Sequence, residues 1–158
     1  MTQRFEPTSL SAPLYAKYLA FAEALHGRLE PLLLDLINIR VSQLNGCAFC
    51  VDMHSKEAKL HGERELRLYH VPIWRESNLF TARERAALAW AEVLTNLPPE
   101  GVEDRLYEQV RDEFSEQEVS NLTFAVIAIN GWNRANAAVR REPGSLDTML
   151  GLAEAGLS

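Results

Sequence analysis

Asn45-Gly46-Cys47-Ala48-Phe49-Cys50-Val51-Asp52-Met53-His54 sits between two helical stretches and contains the only two cysteines of the chain. Asn-Gly is a strong chain breaker, so the helix before it stops there and a new one starts near Cys47. In a helix from that point, residues 47, 50 and 54 fall on one face. Two thiols and an imidazole are then within reach of one another, as a reversible dithiol/disulfide centre requires.

Working outward, the pattern is helical almost throughout. Upstream, Pro31 suits the first turn of a Leu- and Ile-rich helix over 31–43. Before it, Ser11 and Pro13 open a helix over 11–29 with the stripe Leu14, Tyr18, Phe21, Ala22, Leu25. Downstream, the cysteine helix runs to about His61, where Gly62 is a good stop. A short helix covers 63–70 and ends before Pro72. Thr81-Ala82-Arg83-Glu84 is a capping box ahead of an alanine-rich helix that ends before Pro98-Pro99. Residues 102–113 read as amphipathic, and Ser115-Glu116-Gln117-Glu118 is a second capping box opening the longest helix, 116–141. The tail from Gly144 holds one further short helix. No run of alternating residues argues for a sheet, so the fold class is all-α, with six to eight helices. Residues 1–158 form one domain: a core over about 30–140, the N-terminal helix 11–29 and a C-terminal tail 143–158.

The totals narrow the chemistry. Hydrophobic residues are 47% and charged residues 24%, as in a soluble globular protein. The net charge of −6 argues against a nucleic-acid binder and against a polybasic membrane anchor. Met1 to Pro13 lacks the charged-then-apolar pattern of a signal peptide, and no apolar run reaches membrane-span length. The expected compartment is the reducing cytoplasm, where a C-x-x-C pair is catalytic or metal-binding in preference to structural. No cofactor is expected.

His54 lies four residues after Cys50 and is stacked on it, so Cys50 is read as the attacking thiol and Cys47 as its resolving partner. The helix dipole alone argues the opposite, because Cys47 is nearer the helix end. Two plainer readings compete: buried core cysteines, or zinc held by Cys47, Cys50, His54 and a fourth ligand such as His61. Zinc sites draw ligand pairs from two segments, and the chain has no second Cys/His pair. Asp35, twelve residues before Cys47, is the only acid between Pro31 and Cys47. Hairpin geometry would have to bring it back toward the thiols; periodicity alone makes it a surface charge. His26 and His70 read as ordinary surface or boundary residues. Trp74, Trp90 and Trp132 read as core or interface anchors. Asn133 and Arg134 either line a pocket or pair at a subunit interface.

Asp35-x11-Cys47-x2-Cys50-x3-His54 resembles the signature of the alkylhydroperoxidase-D-like (AhpD-like) proteins of the carboxymuconolactone decarboxylase superfamily. The likeness extends through Ile39 to Gly46, Asp52 to Ala58, Trp74 to Ser77, Glu84 to Trp90 and Asn130 to Arg134. It implies an all-helical fold assembling as trimers or hexamers. It also implies reduction of hydroperoxides, with Cys50 peroxidatic, Cys47 resolving, and His54 and Asp35 as proton relay. An external dithiol, a thioredoxin-like protein or lipoamide, would restore the thiols. The superfamily's other activity, decarboxylation of a muconolactone-like acid, does not need a redox-active cysteine pair; a non-enzymatic redox-sensing oligomer is a third reading. Two features depart from the family pattern. The family acid is glutamate where this chain has Asp35, which withdraws the carboxylate by about 1.5 Å. Alkylhydroperoxidase D itself has a histidine where this chain has Phe49.

Overall fold

The computed structural model describes residues 2–157 and holds, among them, nine α-helices and no strand. The helices are α1 (Pro7–Leu10), α2 (Ala12–Glu23), α3 (Pro31–Leu44), α4 (Ala48–Leu60), α5 (Glu65–His70), α6 (Ala82–Thr95), α7 (Asp104–Arg111), α8 (Glu116–Val139) and α9 (Asp147–Leu150). Short 3-10 turns follow α5 (Val71–Glu76) and α9 (Leu152–Ala155). The α1 and α9 helices are single turns, which leaves seven longer helices and an all-α fold as expected. Among the described residues, no helix is long and apolar enough to cross a membrane.

Both capping boxes form. The Thr81 and Ser115 hydroxyls accept from the amides of Glu84 and Glu118, and the two glutamates reach back to the cap amides. The break at Asn45-Gly46 also forms. Gly46 takes φ +65°, and the Cys47 amide donates to Ser42 O at 3.0 Å, closing the end of α3.

The helix expected over 11–29 is interrupted. It starts as expected, with Ser11 at its N-cap position and the single turn α1 before it, but α2 stops at Glu23. The chain must turn between there and Leu29, which enters the core, and Gly27 turns at φ +73°. The expected stripe on α2 buries nothing completely: Leu14 is exposed, and Tyr18 is half-buried against α8.

The α3 helix is the centre of the fold. Leu33, Ile37 and Val41 pack with Ala87, Trp90 and Ala91 of α6 and Leu122, Val126 and Ile129 of α8. Leu36 and Ile39 face the other way, into a second cluster with Ala58 of α4, Leu68, Val71, Trp74, Phe80 and Leu88. A helix buried on two faces leaves little room for a surface charge. Trp74 and Trp90 are core residues, and Trp132 meets the rings of Tyr15 and Tyr18 edge-on.

Gly131, within α8, is where α2 docks. The Tyr18 hydroxyl donates to Ala128 O at 2.8 Å, and a Cβ added at Gly131 would overlap that hydroxyl. Gly131→Ala is therefore expected to loosen α2 while favouring α8 itself by roughly 1 kcal/mol of helix propensity. In hydrogen exchange, residues 12–23 of the variant should lose protection while the core of α8 keeps its own. Unchanged protection of α2 would refute this account of the docking.

Candidate active site

Cys47 is the N-cap residue of α4, extended at φ −86° and ψ 91°. Cys50 lies in the first turn, and the two are joined as a disulfide with Cα atoms 5.3 Å apart. The Cys50 amide donates to Cys47 Sγ at 3.3 Å. Both residues are buried, at 4% and 1% exposure. The helix therefore starts where the sequence places it, and the pair occupies its positively polarised end.

The turn before the pair is held from α8. Asn133, 1% exposed, donates to Ser42 Oγ at 3.0 Å and accepts from Asn45 Nδ2 at 2.9 Å. Asn130 Oδ1 accepts from the same Asn45 amide at 3.0 Å. Asn133 is thus an internal strut, and Arg134 is exposed with its guanidinium on Asn130. One turn further along α8, Asn136 Nδ2 donates to Cys50 Sγ at 3.6 Å. Arg141 Nε donates to Asn136 Oδ1 at 3.1 Å and so fixes which end of that amide faces the sulfur. Arg141 reaches this position because α8 ends at Val139, two residues before the expected end at 141; Arg140 then takes the left-handed conformation, and the chain folds back over Phe49.

His54 is buried one turn below Cys50, and its Nδ1 lies 2.6 Å from Glu57 Oε2. Asp35 is also buried, at 4% exposure, which corrects the surface reading: α3 is covered on both faces. Its Oδ2 lies 2.6 Å from Nδ1 of the half-exposed His61, so the hydrogen bond it makes is with that histidine and not with His54. The two acids differ in their electrostatics. Burial pushes the Asp35 carboxyl up, and the hydrogen bond from His61 only partly opposes it. Burial also pushes Glu57 up, but the hydrogen bond from His54 and the charges of His54, His61 and His26 more than offset it, leaving Glu57 below the usual carboxylate range. His26 is exposed, and His70 pairs with Ser77 Oγ at 3.0 Å. Among the described residues, no group of three or more His, Cys, Asp or Glu is arranged to hold a metal ion.

The C-terminal segment covers the sulfurs. Leu146 packs on the cluster of Cys47, Phe49 and Cys50. Lys56 bridges Asp52 at 2.9 Å and Asp147 at 2.7 Å, and the Gly144 amide donates to Asp52 at 3.0 Å.

A profile of the carboxymuconolactone decarboxylase family matches residues 12–93, which hold Asp35, both cysteines and His54. The chain belongs to the carboxymuconolactone decarboxylase family. Its membership is of the AhpD-like kind. The Bacillus subtilis (strain 168) protein YdfG is 43% identical over 105 residues, covering 66% of this chain and 71% of YdfG. The crystal structure of ATU0492 from Agrobacterium tumefaciens superposes with a TM-score of 0.86 at 35% identity, covering 90% of this chain and 98% of that one. ATU0492 is described as of unknown function, under a name that proposes an antioxidant defence protein AhpD. A peroxidase-related protein with an alkylhydroperoxidase AhpD core, from Ralstonia eutropha JMP134, shares the fold at a TM-score of 0.78 and 18% identity, covering 87% and 74% of the two chains.

Within this family frame, three site residues were not singled out from the sequence: Glu57, Asn136 and Arg141. The i, i+3 spacing of His54 and Glu57 is a local signal for the first. Asn136 is 86 residues from Cys50, and no local pattern marks it or Arg141.

Proposed function

We propose that the chain is a thiol-dependent peroxidase that reduces hydroperoxides through Cys47 and Cys50. The observation that carries this reading is the joined pair of sulfurs at the start of α4, with His54 one turn below Cys50. The helix end and the Asn136 amide both favour a sulfur anion at Cys50. The Cys50 amide favours one at Cys47 as well, and the register of His54 decides for Cys50.

In the reduced form, Cys50 gives its proton to His54 and its thiolate attacks one oxygen of the hydroperoxide. The O–O bond breaks, Cys50 becomes a sulfenic acid, and the departing alkoxide leaves as the alcohol with the proton from His54. The Cys47 thiol then condenses with the sulfenic acid, releasing water and forming the disulfide. An external dithiol, a thioredoxin-like protein or lipoamide, returns two electrons and two protons.

The names given to ATU0492 and to the Ralstonia protein support an antioxidant, peroxidase-like role. The chemistry suits the cytoplasm, where thiols are kept reduced. The exposed Leu14, Leu19, Phe124 and Ile127 supply apolar surface for the proposed homo-oligomer, a trimer or hexamer.

Thiol titration of the reduced protein before and after one equivalent of an organic hydroperoxide tests the reading. Rapid loss of both thiols, with the mass change of one disulfide, is expected. Unchanged thiols would overturn it in favour of a decarboxylase or a non-enzymatic oligomer, and turnover of a muconolactone-like acid without added reductant would decide for the decarboxylase.

A further inference from the structure

We propose that Glu57, and not the upstream acid Asp35, is the positioning residue that holds His54 for its exchange of a proton with Cys50. The inference rests on the reading of Cys50 and His54 above. Which ring nitrogen of a histidine is free to act as base is set by the hydrogen bond that the other one makes. Nδ1 of His54 lies 2.6 Å from Glu57 Oε2, within one turn of the same helix, which leaves Nε2 as the nitrogen available to the sulfur one turn above. The contact is short, in the direction that charge assistance shortens a hydrogen bond. Asp35 is engaged elsewhere, on His61 at 2.6 Å.

The chemistry of the two acids points the same way. An acceptor for Nδ1–H works best when ionised, and Glu57 is held below the usual carboxylate range while burial pushes Asp35 above it. The other titratable groups around the pair are Asp35 on α3, His61 just beyond α4, and His26 in the link between α2 and α3. Glu57 takes up no proton in the cycle. The proton leaves Cys50 Sγ for His54 Nε2 and passes from there to the alkoxide, while the sulfur gains the hydroxyl oxygen. The consequence for the chain is that the shorter Asp35 need not span to the thiols at all.

The test measures alkylation of Cys50 by iodoacetamide in the fully reduced protein between about pH 5.5 and 9, a range that brackets histidine and thiol titration. Peptide mass mapping separates Cys50 from Cys47, and melting temperatures are taken alongside. In Glu57→Gln, alkylation of Cys50 at pH 7 should fall about tenfold and its pH profile should move to higher pH. Glu57→Asp, which keeps the charge, should recover part of the rate. Asp35→Asn should stay within about twofold of the parent, since one pKa unit at the thiol corresponds to tenfold in thiolate. Both Gln and Asn variants should melt near the parent. An effect of Asp35→Asn equal to or greater than that of Glu57→Gln would overturn the inference, as would Glu57→Gln alkylating at the parent rate. If Glu57→Gln does not fold, Glu57→Asp against Asp35→Asn decides by the same comparison. Alkylation uses no peroxide, so the two readings fail separately. A parent protein inert to hydroperoxide but slowed in alkylation by Glu57→Gln loses the peroxidase reading and keeps this one.

Discussion

Cys50→Ser is expected to abolish hydroperoxide consumption, by a factor of about 10³ or more, whereas Cys47→Ser is expected to keep the first oxidation and lose turnover. A serine hydroxyl at position 50 nearly retains the size of the thiol and its place beside Asn136, but neutral His54 does not ionise an alcohol to a useful extent, and no O–O bond is broken. In Cys47→Ser the Cys50 sulfenic acid still forms, with no thiol to condense with. It should be trapped by dimedone at one adduct per chain, and excess peroxide should carry it on to the sulfinic acid. Single-turnover peroxide loss, adduct mass and multiple-turnover rate with a dithiol distinguish the cases. The reverse pattern, with Cys47→Ser inert and an adduct on Cys47 in Cys50→Ser, would assign the attack to Cys47. That residue has the helix end and the Cys50 amide in its favour, so this outcome has a physical route.

Arg67→Met is the largest expected loss of stability. Arg67 is 8% exposed and is shared between Glu63, at 2.9 Å, and Glu84, while also donating to Leu79 O. Glu63 is itself buried, and one of its oxygens has no partner among the described residues even with Arg67 present. Methionine keeps most of the packing against Phe80 and removes the charge, leaving Glu63 and Glu84 without their shared counter-charge and with only the Arg64 and Thr81 amides as donors. Breaking a buried pair in this way costs about 3–5 kcal/mol. For a chain of this size that is roughly 6–20 °C in melting temperature.

The sign with pH follows from Glu84. Burial pushes its carboxyl up, but the hydrogen bond and charge of Arg67, together with the Thr81 cap, prevail and hold it below the usual range. A lowered carboxyl contributes stability that is fully present above its unfolded value and is lost as pH falls through its folded one. The deficit of Arg67→Met should therefore be largest near neutral pH and shrink below about pH 4.5, as Glu84 takes up its proton. Urea melts at about pH 7 and about pH 4, above that window and inside it, measure it. A loss under about 1 kcal/mol at neutral pH would mean that the cluster is solvated and worth no more than a surface pair.

Helix starts were legible in the sequence wherever the signal was local. Thr81 with Glu84, Ser115 with Glu118, and the Asn45-Gly46 break all act within four residues, and each forms as read. The start of α4 at the cysteines followed from the same kind of signal. Burial on a second face was not legible. The spacing of Leu33, Ile37 and Val41 shows one apolar face of α3, but Leu36 and Ile39 fill another cluster, and Asp35 lies buried on that doubly covered helix. Partner choice was the hardest to read. Asp35 and His54 suit each other chemically, yet each takes another partner, His61 and Glu57. The contact of Asn136 with Cys50 depends on how α8 crosses α4 and on the reversal at Arg140, neither of which has a short-range sequence mark.

The segment that carries Leu146 and Asp147 has a consequence for the external dithiol proposed above. Cys47 and Cys50 are almost wholly covered, so in the proposed cycle a folded donor protein meets the segment tied down by Lys56 before it meets the disulfide. Reduction by such a donor then has a step before any sulfur chemistry, and its ceiling is the frequency with which the cover lifts. A slender dithiol on a flexible arm needs a much smaller opening. Access, as much as reduction potential, ranks the donors this disulfide can use.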